Sequence, residues 1–393
     1  MKTDHEVIIV GAGPAGSAAA RALGAKGIPV LVLERKELPR DKPCDGLVMD
    51  YVYEEILRSF GEIPVEIYSE PPQIRAIRWH YGKGRGAYDT VFDRPAHFVV
   101  RKDFDHWLNR MSGAEIRDQA TLLDLSVEGD IVRLRVRTQS GTEELSCRYL
   151  IGADGDNGAT LRKIAPEFFA RRVKPHQFIM GKVHYEGGIN LDKALWHSFV
   201  DAEYGALTLV TQKDGTITVE NCVREAADFQ KVHARLLAHL EQTHGFLQTR
   251  IIKQEMLPRT QMSAMGVFYP GFRNVLLAGE ASGLSRLWGE GIGPALISGR
   301  QVGEAIAASV QSGKSAIEEY SPAFTKHSRA VAAEWNLFKL LIGRPGNVGQ
   351  MDPKKAIAKL TFLKRWQLLS QLAQQMRLFG GGARIIGASL KRL

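Results

Sequence analysis

Three stretches hold the residues able to do chemistry: "GAGPAG" at 11–16, "KPCDGLV" at 42–48 and "GEASGLSRLWGEGIGPALISGR" at 279–300. The first follows a continuous apolar run, "EVIIV" (6–10), and opens an alanine-rich segment. That order reads as a buried strand, a tight turn and a helix. Gly11 permits the sharp turn, Gly13 lets the backbone approach a pyrophosphate, and Gly16 lets the helix pack closely. Pro14 and Ala15 start the helix, whose free N–H groups favour an anion. A second strand, "IPVLVLER" (28–35), ends on Glu34 with Arg35 beside it. A carboxylate there accepts from both hydroxyls of a ribose and repels a 2′-phosphate. These residues form a dinucleotide site. They do not by themselves separate NAD from FAD.

The third stretch has six glycines, two glutamates and a single tryptophan, Trp288. Glycine this dense marks backbone in close contact, either with a packed helix or with a ligand. Its segments "GEASG", "LSRLW", "GEGI" and "ALISGR" resemble the late motif of the geranylgeranyl reductase family, within the p-hydroxybenzoate hydroxylase-type FAD superfamily. "GAGPAG" with Glu34, Arg101 of "VVRKDFDHWL", and "GADGDNGATLR" (152–162) carry the same resemblance, which spans roughly residues 5–310. It implies FAD as cofactor. The first string would hold the adenosine pyrophosphate, and Gly279, Glu280, Gly289, Gly291 and Ile292 would run beside the ribityl chain and the flavin. Arg101 and Asp154 would contact FAD as well. The family normally has aspartate where Glu280 stands. A helix opening at "GEGIG" (289–293) favours the negative charge of a reduced flavin.

"KPCDGLV" lies where the family has a C-G-G type loop near the flavin. Cys44 is thus a cofactor contact, and Cys44 and Asp45 are candidates for the reaction face. Asp45 is a proton donor if burial raises its pKa, or a cap for the helix that follows. Cys44 donates a proton or fills space. Trp288, next to the usual proline of the late motif, is the third catalytic candidate. "AEYGALTLV" keeps the Tyr204 and Gly205 of a family segment but lacks its tryptophan and proline, which leaves the substrate open. His97, His184 and His197 read as structural. Aromatic hydroxylases of the superfamily carry a histidine where this chain has Gly283, and halogenases a W-x-W-x-I-P segment that is absent. The favoured reaction is reduction of C=C bonds in a prenyl, polyene or related hydrophobic small molecule. The alternatives are a monooxygenase of small aromatic or natural-product substrates and a membrane-docking electron-transfer flavoprotein. No second GxGxxG offers a site for NAD(P)H, so the reductant is a transiently bound NAD(P)H or a protein donor.

The elements that must position these residues give an α/β fold: a Rossmann-like FAD-binding domain, an inserted, mostly antiparallel β-sheet substrate domain, and a helical C-terminal region. The expected boundaries are 1–72, 100–172 and 262–320 for the FAD-binding domain, 73–99 and 173–261 for the substrate domain, and 321–393 for the helical region. "RKDFDHWLNRM" (101–111) predicts a helix capped by Asp103, and 175–257 a meander of strands turning at "QKDG". Of 393 residues, 44% are hydrophobic and 24% charged, as in ordinary globular proteins. Three cysteines, Cys44, Cys147 and Cys222, argue against a disulfide framework or zinc site. With no signal peptide and no apolar run of about 20 residues, a cytoplasmic protein is expected. The net charge of +9 is concentrated in 351–393, which holds nine basic residues and one acid. Apolar residues from Leu360 to Phe379 recur every three or four positions there, with Trp366 among them. That pattern suits either contact with an anionic membrane or packing on the core. No nucleic-acid motif accompanies the charge, and the sequence is silent on oligomeric state.

Overall fold

The computed structural model describes residues 3–81, 86–173, 178–205 and 208–342. The chain begins with β1 (His5–Val10), α1 (Pro14–Gly24) and β2 (Val30–Leu33), then β3 (Leu47–Val48), α2 (Asp50–Phe60), β4 (Tyr68–Tyr81) and β5 (Ala87–Val99). It continues through α3 (Arg101–Ser112), β6 (Glu115–Arg117), β7 (Thr121–Glu128), β8 (Ile131–Thr138), β9 (Gly141–Gly152), α4 (Thr160–Ile164) and α5 (Pro166–Arg172). Next come β10 (Phe178–Gly188), β11 (Leu195–Val200), β12 (Thr208–Lys213), β13 (Thr216–Val223), α6 (Phe229–His244) and β14 (Leu247–Arg259). The last elements are β15 (Gly271–Phe272), β16 (Val275–Leu277), α7 (Ile292–Ser312) and α8 (Ala316–Ile342).

Two sheets result. The first runs β15-β16-β9-β1-β2-β6, and β7 and β8 extend from the first half of β9. β1 is parallel to β2 and β9, with Val10 level with Leu33 and Gly152. The carboxyl ends of the central strands therefore line up, which is where open parallel sheets bind ligands. Both faces are covered, and this explains the unbroken apolar runs. Val7, Ile9, Val32 and Ile151 pack under α1, α7 and α8, while Ile8, Leu31 and Leu150 pack on Val132, Leu134 and Val136. α7 lies against α1 so closely that a Cβ at Gly299 would fall 2.2 Å from the carbonyl oxygen of Ala15. Part of the late glycine string is thus a packing device.

The second sheet runs β14-β10-β13-β12-β11-β4-β5-β3. It is antiparallel except where β11 runs parallel to β4. The expected meander is only partly present: β11, β12 and β13 follow one another, but β10 crosses to lie between β13 and β14. "QKDG" makes the β12–β13 turn, with Asp214 and Gly215 both at positive φ, as a tight hairpin requires. Val183, Tyr185, Val210 and Val219 face α6, where they meet Phe229, Leu236 and Leu240. Because side chains alternate, Met180, Lys182 and Glu220 face the other way. Asp103 is not a cap. α3 starts at Arg101 after Val100 without a side-chain cap bond, and Asp103 sits in its first turn. Residues 351–393, with the basic amphipathic pattern, lie outside the described residues.

Candidate active site

One cavity of about 860 Å³ runs between the two sheets and along α7 and α8. That is within the usual size for a small-molecule or cofactor site. Its first end lies over the carboxyl ends of β1 and β2, where Gly11, Gly13, Pro14, Ala15, Glu34 and Arg35 line it. Gly11 has φ +108°, and a Cβ there would stand 2.4 Å from the carbonyl oxygen of Ala153. Any side chain would push the turn off β9. Gly16 lies behind the turn, against the Gly11 carbonyl and Ile9. The Glu34 carboxylate accepts from Ala12 N (3.1 Å) and Lys36 N (3.0 Å). Arg40 bridges Glu34 and Asp105, each at 3.4 Å.

Arg101 is buried and doubly bonded to Asp105, at 2.9 and 3.0 Å. Asp154 caps α4: its Oδ2 accepts from the Thr160 amide and hydroxyl, both at 2.9 Å. Its Oδ1 is buried in the cavity wall with no hydrogen-bond partner among the described residues, and burial raises its pKa. Gly289, Gly291 and Ile292 line the cavity where α7 begins, and Gly289 has φ +73° with open space on its Cβ side. Gly279 lines the wall too, but its N–H is committed to Ser298 Oγ at 2.8 Å.

The FAD binding domain family matches residues 4–246. The chain belongs to that family. It is an FAD-dependent oxidoreductase. A digeranylgeranylglycerophospholipid reductase of Methanopyrus kandleri is 27% identical over 328 residues, 78% of each chain. A geranylgeranyl diphosphate reductase of Rhodobacter capsulatus is 26% identical over 329 residues, 79% of this chain and 77% of that one. Among solved structures, a geranylgeranyl bacteriochlorophyll reductase-like protein from Thermoplasma acidophilum matches with TM-score 0.74 and 15% identity, covering 94% of this chain and 99% of that one. A p-nitrophenol 4-monooxygenase from Pseudomonas putida matches with TM-score 0.71 and 15% identity, covering 97% and 100%. The fold is thus shared by reductases and oxygenases.

The residues of this flavoprotein fit FAD. The turn at Gly11–Ala15 opens into the cavity, Glu34 lines it just beyond β2, and Asp154 Oδ1 lacks a donor that a ligand hydroxyl could supply. Glu280 reaches further than an aspartate would. Its Oε1 lies 2.5 Å from Arg259 Nη2 and 3.0 Å from where a Cβ on Gly291 would stand. Its pKa is lowered: burial pushes it up, but Arg259 and Lys42 outweigh that. Lys42 is half-buried in the same wall, its pKa lowered by burial and by Arg101, Arg259 and Arg40, against Glu280.

A further wall of the cavity is the cavity-facing side of the second sheet. Ile77, Trp79, Phe92, Trp196 and Leu209 make its apolar part. Cys44 lies half-buried beside Arg101, and its Sγ accepts from Gly46 N at 3.4 Å. Gly46 has φ +75°, and a Cβ would fall 2.0 Å from the carbonyl oxygen of Val99. This forced turn sends the preceding Asp45 onto the sheet, where Lys182 Nζ donates to its Oδ1 at 2.7 Å. Lys213 Nζ donates to the Asp45 carbonyl at 2.9 Å. Burial would raise the Asp45 pKa, but Lys182 and Lys213 reverse the shift and lower it. The Lys182 pairing thus favours the ionised Asp45 carboxylate over a neutral, proton-donating acid. Nor is Asp45 a helix cap, since Met49 precedes α2. Trp288 falls in the 3₁₀ turn Leu287–Gly289, and its side chain lies outside the described residues.

His184 bonds Thr218 and Glu255, while His197 and His80 meet at 3.0 Å behind the sheet, beneath α6. His97 stacks on Tyr53. Sequence reasoning missed Lys42, Lys182, Glu220 and Arg259, which share the cavity wall with Cys44 and Asp45. A signal was available for two of them. Lys182 and Glu220 interrupt the apolar strands "IMGKV" and "ITVEN" at positions that must point away from α6.

Proposed function

We infer that this flavoprotein reduces C=C bonds of a prenyl, polyene or similarly hydrophobic substrate. The observation that carries the reading is the cavity-facing side of the second sheet, where five large apolar side chains share the cavity with the charged group of Asp45, Lys182 and Glu220. A flat or extended hydrocarbon fits the apolar part. The two reductase relatives, named for geranylgeranyl substrates, support the same class. When bound, FAD supplies a hydride equivalent, two electrons at a time. The chain's residues hold the alkene against it, exclude water through the aromatic wall, and keep a proton source at the charged end. The reductant is NAD(P)H or a protein donor, with residues 351–393 as the candidate contact with an anionic membrane.

Anaerobic mixing of the reduced protein with geranylgeranyl diphosphate tests the reading. Reoxidation of the flavin spectrum with formation of a product heavier by two hydrogens per double bond is expected. Flavin that stays reduced under those conditions, together with substrate-stimulated oxygen uptake by an aromatic compound, overturns it in favour of a monooxygenase.

A further inference from the structure

Lys182 on β10 stands in register with Glu220 on β13, so both side chains emerge on the same face. Lys182 Nζ lies 2.6 Å from Glu220 Oε2, yet that contact is poorly aligned and Oε2 remains without a hydrogen bond. The well-made bond from Lys182 goes to Asp45. One buried ammonium thus faces two buried carboxylates, and Asp45 has the better claim on it. Lys213, the next cation, is turned to the backbone carbonyls of Asp45 and Val99. Glu220 is 2% exposed and lines the cavity.

We propose that Glu220 is the acid that gives the substrate its proton in the reduction. This rests on the reductase reading above. If the hydride adds first, the neighbouring carbon is left electron-rich; if the proton adds first, the neighbouring carbon is left electron-deficient and accepts the hydride. In both orders one carbon gains the hydride and the other gains one proton. The O–H bond of Glu220 breaks, a C–H bond forms on the substrate, and the carboxylate left behind is stabilised by Lys182. Water restores the proton between turnovers, and the two electrons are those of the hydride, drawn from NAD(P)H or a protein donor.

The surroundings fit that role on every side. β12 presents Leu209 opposite Glu220, an apolar neighbour that withholds solvation. β10 presents Lys182, the loop presents Asp45 and Cys44, and Arg259 stands at the end of β14. Burial pushes the Glu220 carboxyl up to about 7, with Asp45 adding to the rise and Lys182 and Arg259 opposing it. A general acid works best when its pKa lies near the operating pH. Asp45, already ionised, acts as a positioning residue that engages the Lys182 ammonium.

Infrared difference spectroscopy of the FAD-saturated protein across a pH titration gives a reading without turnover. The C=O stretch of one protonated carboxylic acid should disappear with a midpoint near 7 and be missing from E220Q. A wild-type protein without that band below neutral pH overturns the proposal. In anaerobic single turnover with geranylgeranyl diphosphate, E220Q should be slower by roughly 10²–10⁴-fold, the usual worth of a general acid. Its flavin absorbance should be retained, and E220D, with a shorter acid, should recover part of the rate. A wild type that reduces this probe beside an E220Q that does so equally fast overturns the proposal alone. A wild type that leaves the probe unreduced overturns the reductase reading, and the proposal with it.

Discussion

Replacing Lys182 by methionine isolates the charge balance of the site. The residue is 3% exposed, with its Nζ 2.7 Å from Asp45 Oδ1 and 2.6 Å from Glu220 Oε2. Methionine keeps most of the volume, so little is lost to a cavity. What remains is two buried carboxylates with no ammonium between them. Breaking a buried pair by removing one partner costs about 3–5 kcal/mol. For a chain of this length, with a urea m-value of at least ~3 kcal/mol/M, the midpoint should fall by at most ~1–1.7 M. The sign with pH follows. In the variant, burial and mutual repulsion raise both carboxyl pKa values in the folded state. Protonation then relieves the strain, so the deficit is full in mildly alkaline buffer and shrinks as pH falls toward the ordinary carboxylate range. Urea unfolding of FAD-saturated wild type and variant, at mildly alkaline and mildly acid pH, measures both effects. Adding Asp45→Asn to Lys182→Met removes both partners and should recover part of the loss. An unchanged midpoint in alkaline buffer, or a deficit that grows in acid, would refute the assignment of Lys182 as the buried counter-charge.

Gly299→Ala should destabilise the protein by about 1–3 kcal/mol, the usual cost of overpacking, because its Cβ would stand 2.2 Å from the Ala15 carbonyl; thermal unfolding and FAD retention should fall together. Glu280→Gln removes the carboxylate that faces Arg259 and Lys42. The surplus positive charge should then favour the anionic reduced flavin and raise its midpoint potential in a redox titration, by roughly 30 mV for each ~1.4 kcal/mol. His80, stacked on Phe199 at 4.3 Å, has its pKa lowered to about 3 by burial and by His197, His244, Arg78 and His239. Its neutral form is favoured in the fold, so that stability is present above about 6.5 and is lost as pH falls from there toward 3. His80→Phe should flatten this acid limb in a series of unfolding curves. An unchanged limb would show that other groups set it.

Much of the nucleotide end was legible in the sequence because its signals are local. A buried strand, a glycine turn and a helix within about 35 residues leave few other ways to fold. Gly11, Gly13 and Glu34 therefore stand together without help from the rest of the chain. The late glycine string was legible only as a demand for close backbone. The structure divides it between packing, at Gly299 against α1, and the cavity, at Gly289 and Gly291.

The charged group in the cavity wall was not legible, since Asp45, Lys182 and Glu220 come from three distant segments. The family resemblance singled out Asp45, as a proton donor if burial raised its pKa or as a helix cap. Tertiary structure brought a lysine to it and reversed the shift, because at close range in a buried site an opposite charge can outweigh desolvation. The same juxtaposition leaves Glu220 as the carboxylate without a well-made bond, 38 residues beyond its partner in sequence and level with it across two strands. The sequence by itself determined that a dinucleotide is gripped at the ends of parallel strands, because that depends on neighbours along the chain. Which carboxyl holds a proton depends on neighbours across the sheet, and only the fold supplies those.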